Sequence, residues 1–97
     1  MSTIVDFTIS PVDKGESLSP YVARALSIIK SSGLSYKLGP MGTSIEGEMD
    51  EIMSLIQRCF EELQKDCGRI LMTIRADYRK DSSGRIKTKI SAVKDKI

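Results

Sequence analysis

The densest cluster of residues able to do chemistry is Leu38-Gly39-Pro40-Met41-Gly42-Thr43-Ser44-Ile45-Glu46-Gly47. Its glycines let a ligand approach the backbone closely. Thr43 and Ser44 supply hydroxyls, Glu46 a carboxylate, and Met41 a soft, adaptable contact surface. The set suits a flat polar heterocycle. It suits a nucleotide phosphate less well, because it lacks the lysine of a phosphate-binding loop and does not run directly into a helix. A plain hairpin connection accounts for the same residues. Tyr21 and Tyr36 could stack on a ring, although aromatic residues in such places also serve packing.

A second cluster is Asp77-Tyr78-Arg79-Lys80-Asp81. With Arg75 it could meet an anionic group, or it is a solvated strand end. Catalytic constellations are missing. The chain has no histidine, which excludes a Ser-His-Asp triad, a Cys-His pair and a His-based zinc site. Cys59 and Cys67 fall in one predicted helix, and at roughly 1.5 Å rise per residue their Cα atoms lie about 12 Å apart. That is too far for a disulfide, so two reduced thiols and a reducing compartment are expected. No enzyme, cofactor or metal is expected.

The elements that position these residues read from periodicity. Residues 3–10 alternate, with Val5, Phe7 and Ile9 on one face and Asp6, Thr8 and Ser10 on the other, which predicts a strand. Ser19-Pro20 opens a helix, with Ser19 at the N-cap and Pro20 at the first helical position. Val22, Ala25, Leu26 and Ile29 form its stripe, and Gly33 fits the left-handed residue after it. Short strands follow at 35–38 and 43–46. A second helix from near Asp50 carries Ile52, Leu55, Ile56, Cys59, Phe60 and Leu63. A strand over 69–77 puts Ile70, Met72 and Ile74 on one face and Leu71, Thr73 and Arg75 on the other. After a polar loop at 80–84, Ile86, Ile90, Val93 and Ile97 mark a basic C-terminal helix with little sign of a cap.

The order βαββαβ plus a helix predicts one α+β ferredoxin-like domain over residues 1–97, with antiparallel sheet order 4-1-3-2. Two helices cover one face. Asp6, Thr8, Thr73 and Arg75 lie on the other, where Asp6 and Arg75 could pair across strands. Leu71 and the spare C-terminal helix favour a partner on that face, and small cores gain from oligomerisation.

Composition narrows the partners. Lys plus Arg number 15 and Asp plus Glu 13, a net charge of +2 that argues for no nucleic acid. No apolar run approaches the roughly 18 residues of a membrane helix. Asp6 and the absence of a basic stretch in residues 1–10 argue against a secretory leader, so a cytoplasmic location is expected.

The residues also resemble a known family, the small thiamine-binding proteins. The resemblance runs through Ser17-Leu18-Ser19-Pro20-Tyr21-Val22-Ala23, Ser32-Gly33-Leu34-Ser35-Tyr36-Lys37-Leu38, Pro40-Met41-Gly42-Thr43, Ile45-Glu46-Gly47, Asp50-Glu51-Ile52 and Thr73-Ile74-Arg75-Ala76-Asp77-Tyr78-Arg79. It implies a ferredoxin-like fold, homodimers or dimers of dimers, and binding of thiamine or its hydroxymethylpyrimidine part without chemistry. Gly39 stands where many members carry Asn, which removes a side-chain amide. For such a ligand, Glu46 or Asp6 would offset a cation or accept from the exocyclic amine. Met41 and Tyr36 would contact ring faces, and Thr43 with backbone groups would read ring nitrogens. The expected ligand-binding set is Tyr36, Met41, Gly42, Thr43, Ser44, Glu46 and Asp6. Two other readings remain open: a homo-oligomeric interaction protein with a vestigial pocket, and an RNA-binding ferredoxin-like domain. The last lacks aromatic platforms.

Overall fold

The computed structural model describes residues 2–81 and 83–97. Met1 and Ser82 lie outside the described residues, and with them the first residue of the 1–10 segment and the middle of the 80–84 loop. Seven elements follow in chain order: β1 (Ser2–Pro11), α1 (Ser19–Ser31), β2 (Ser35–Leu38), β3 (Thr43–Gly47), α2 (Met49–Gln64), β4 (Ile70–Arg79) and α3 (Arg85–Lys94). The sheet runs β2-β3-β1-β4, every pair antiparallel. This is the 4-1-3-2 order read from the other edge.

Period-two alternation decides which residues enter the core. Val5, Phe7 and Ile9 of β1 and Ile45 of β3 are buried beneath the helices. Ala25 and Ile29 of α1 meet Ile52, Leu55, Ile56, Cys59 and Leu63 of α2 over them. Each fully buried Ile or Leu contributes about 1.5–3 kcal/mol. The Cys59 thiol sits against the Ala25 carbonyl at 3.6 Å, and burial pushes its pKa up to about 11. It is a packing residue. Arg24 ties α1 to α2 by donating to both carboxylate oxygens of Asp66 at 3.0 Å and to the Glu62 carbonyl at 2.9 Å.

Three local expectations are corrected. Ser19 lies inside α1 rather than capping it; Leu18 precedes the helix and no side chain caps it. Met72 and Ile74 point to the helix side of the sheet, yet each remains 39% exposed. They sit on the outermost strand, beyond the reach of two helices. Val93 and Ile97 of the C-terminal stripe are exposed, so only Ile86 and Ile90 face protein. Gly33 does take the left-handed conformation at φ 80°, and Asp6 does meet Arg75, at 3.9 Å.

Candidate functional site

The two central strands differ in length, and this difference creates a cavity. β1 has ten residues and β3 five. Their pairing stops at Phe7 opposite Thr43. Continued in register, Met41 would stand opposite Ile9. Instead Gly39 donates its N–H to the Gly42 carbonyl at 2.8 Å, and the chain reverses through Pro40 and Met41. A cavity of about 310 Å³ opens between this turn, β1 from Phe7 to Ser10, and Val22, Leu26 and Ile29 of α1.

Ile9 lies on the edge of that cavity, and its backbone orientation follows from strand alternation. Val12 donates to the Arg69 carbonyl on the β4 side at 2.9 Å. Residues of a strand send N–H and C=O alternately to either neighbour. Even-numbered residues of β1 therefore face β4, and Ile9 turns its N–H and C=O toward the gap that β3 has vacated. Neither has a hydrogen-bond partner among the described residues. Pro11, which has no N–H, falls on the same unpaired side, where its missing donor costs nothing. The lining is largely apolar, with the Thr43 hydroxyl on the same sheet face as Phe7 and no titratable side chain.

The structure brings some of the expected site residues together and separates others. Met41, Gly42 and Thr43 border the cavity. Gly42 has to be glycine-sized, because a Cβ there would stand 2.9 Å from the Thr8 methyl, 3.1 Å from Asp6 Oδ1 and 3.3 Å from the Phe7 carbonyl. Asp6 and Ser44 face each other on the opposite side of the sheet, in a cleft with Arg75, Asp77 and Lys89. Tyr36 borders a third groove, between β2 and α3, while its side chain packs against the core on the Ile45 side of the sheet.

Glu46 has a different engagement. It is buried, and its carboxylate accepts the backbone N–H of Arg85 at 2.9 Å and of Ile86 at 3.2 Å, at the start of α3. Burial pushes its carboxyl up, but those two N–H donors and the Arg85 charge outweigh it and hold the group below the usual carboxylate range. Arg85, also buried, donates from Nη2 to Asp77 Oδ2 at 2.5 Å and from Nη1 to the Asp77 carbonyl at 2.9 Å. The hydrogen bond from Lys89, then the charges of Arg85 and Lys89, lower the Asp77 pKa against burial. Glu46 is thus the missing cap of α3, supplied from β3.

Sequence reasoning missed Ile9 and the α1 residues as site components. Ile9 reads as an ordinary core residue, and it is one through its side chain. The available signal was the mismatch between an eight-residue alternating run and a four-residue one meant to pair with it.

Residues 5–94 match the model of a family described as thiamine-binding protein. A UPF0045 protein of Methanocaldococcus jannaschii is 31% identical over 90 residues, covering 93% of this chain and 90% of that one. The crystal structure of a hypothetical protein from the same archaeon superposes with a TM-score of 0.89 at 30% identity, over 97% of both chains. A Thermotoga maritima protein proposed to act in thiamine biosynthesis or salvage superposes with a TM-score of 0.85 at 27% identity, over 96% of this chain and 99% of that one.

Proposed function

Because the chain belongs to the thiamine-binding protein family, we propose that it holds the aminopyrimidine half of a thiamine-type molecule in the cavity beside Ile9, without chemistry. The observation that carries this reading is the unpaired edge of β1. An aminopyrimidine presents a ring-nitrogen acceptor beside an exocyclic N–H donor, the complement of one backbone N–H and one C=O. The cavity lies at the lower end of the roughly 300–1,000 Å³ range of small-molecule sites, which suits one ring better than two. Its lining has no carboxylate, so a neutral pyrimidine belongs inside and a thiazolium cation toward the mouth, near Met41. Thr43 adds a neutral hydroxyl within reach. The lining also lacks a nucleophile–base pair, which favours binding over turnover.

Calorimetric titration with hydroxymethylpyrimidine and with thiamine tests the reading. Comparable affinity for both is expected, since the shared ring makes the buried contacts. No heat and no thermal shift at ~1 mM of either ligand, a concentration that would reveal any Kd below about a millimolar, would sink it.

A second observation supports self-association. β4 is an outer strand of ten residues. By the same alternation its even-numbered residues turn N–H and C=O away from β1, and their side chains include exposed Met72, Ile74 and Tyr78. A long apolar edge is a template for pairing with another strand. We infer that a second copy of the chain pairs along it. Light scattering showing a monomer at tens of micromolar would count against this inference.

A further inference from the structure

The two flanks of α3 differ in charge balance. On one, Arg85 and Lys89 both pair with Asp77. On the other, Lys87, Ser91 and Lys94 recur at helical spacing and line a groove of about 370 Å³ shared with Lys37 of β2. Among the described residues, none of Lys37, Lys87 and Lys94 makes an ion pair, although six ion-pair contacts form elsewhere in the domain.

The rest of the groove supplies donors and an apolar wall. β2 is the outer strand on this side. Gly39 gives its N–H to Gly42, just before β3, so alternation turns the N–H and C=O of Tyr36 outward, away from β3. Ser91 adds a hydroxyl, and Ile86 and Ile90 form the apolar part of the lining. Three lysines lining one groove, none of them in an ion pair among the described residues, make it locally cationic, and a bound anion offsets that charge. Lysines act as mobile point charges rather than planar forks, which suits the tetrahedral oxygens of phosphate better than bidentate carboxylate recognition.

We propose that the groove between α3 and β2 binds the phosphate or diphosphate group of a small molecule. The assignment rests on the lysine placement and is independent of the pyrimidine reading, whose cavity involves none of these residues. It differs from a nucleic-acid surface in scale: one groove with three lysines is too small to track a polynucleotide backbone.

Titration of the full chain with inorganic pyrophosphate, followed by amide chemical shifts at constant ionic strength, tests the proposal. Saturable shifts are expected at Tyr36, Lys37, Lys87 and Ser91. The triple variant Lys37→Gln/Lys87→Gln/Lys94→Gln should bind about tenfold more weakly or worse, given three lost charge-assisted contacts. A control triple, Lys30→Gln/Lys65→Gln/Lys80→Gln, removes the same net charge and should bind like the wild type. Non-saturating shifts, equal weakening in both triples, or tighter binding of a short RNA duplex at the same residues would overturn the proposal. Thermal unfolding of both triples in the absence of anion separates lost binding from lost folding. The groove triple should stay within a few degrees of the wild type, since the lost mutual repulsion offsets the lost favourable charge of Lys94 in the last turn of α3.

Discussion

Replacing Glu46 by Gln asks whether this carboxylate serves α3 or a ligand. The carboxylate accepts two backbone N–H groups, from Arg85 and Ile86. A glutamine has one acceptor oxygen, and its amide nitrogen would face the second N–H as donor against donor. The variant therefore loses one hydrogen bond to a charged acceptor, worth about 1.5–3 kcal/mol. It also loses the negative charge at the helix start, worth about 0.3–1 kcal/mol where exposed to solvent and salt. Taking the first figure alone, α3 should open about 10- to 150-fold more often, at 1.4 kcal/mol per factor of ten. Amide hydrogen exchange reads this directly. Amides of 88–92 should lose protection by that factor, while amides of β1 and β3 keep theirs. Affinity for hydroxymethylpyrimidine should not change, because Glu46 is not part of the cavity beside Ile9. Weakened ligand binding with α3 protection intact would refute this placement of the residue's role.

Acid should release α3 before it unfolds the sheet. The folded-state pKa values of Glu46 and Asp77 are both lowered, so their stabilisation is present above the unfolded carboxylate values near 4 and is lost as pH falls through the folded ones; exchange measured from pH 6 down to 3 checks this. Gly42→Ala should cost about 1–3 kcal/mol, since its Cβ would meet Thr8, Asp6 and a fixed backbone carbonyl. For a domain of this size that lowers the melting temperature by several degrees, seen by calorimetry, and hydroxymethylpyrimidine binding should weaken as the turn shifts. Ile74→Lys puts a charge on the outer strand β4 and should shift the molecule toward monomer in sedimentation velocity, with a loss of about 1 kcal/mol of monomer stability because the Ile74 side chain is only 39% exposed.

The fold was legible in the sequence because each element carried its own local signal. Alternation at Val5, Phe7 and Ile9 set the buried face of β1, and the spacing of Ile52, Leu55, Ile56, Cys59 and Leu63 set that of α2. The family match over residues 5–94 bears out the resemblance that runs through segments along nearly the whole chain, Ser32 to Leu38, Pro40 to Thr43 and Ile45 to Gly47 among them. What stayed hidden depends on contacts between residues far apart in the chain. The cap of α3 comes from a residue 39 positions away, and no window around Gly84 contains it. The cavity arises from the unequal lengths of two strands, and its polar groups belong to the backbone of Ile9, where a side-chain pattern reads only packing. The exposure of Met72 and Ile74 follows from sheet order: the same alternating stripe would be buried on a central strand.

The borrowed cap also fixes an order of events in folding. α3 has ten residues, below the roughly 12–15 at which isolated helices become marginal in water. Its first turn has no capping side chain of its own, and it begins after Gly84 at φ 63°. The two N–H groups at its start find an acceptor only once β3 has placed Glu46. Arg85 likewise needs β4, whose Asp77 carbonyl and carboxylate receive its guanidinium. β3 and β4 are not neighbours but are joined through β1, so the helix can lock only after the non-local centre of the sheet has closed. The C-terminal helix is therefore a latecomer, and its ordering reports that the slow, long-range part of folding is complete.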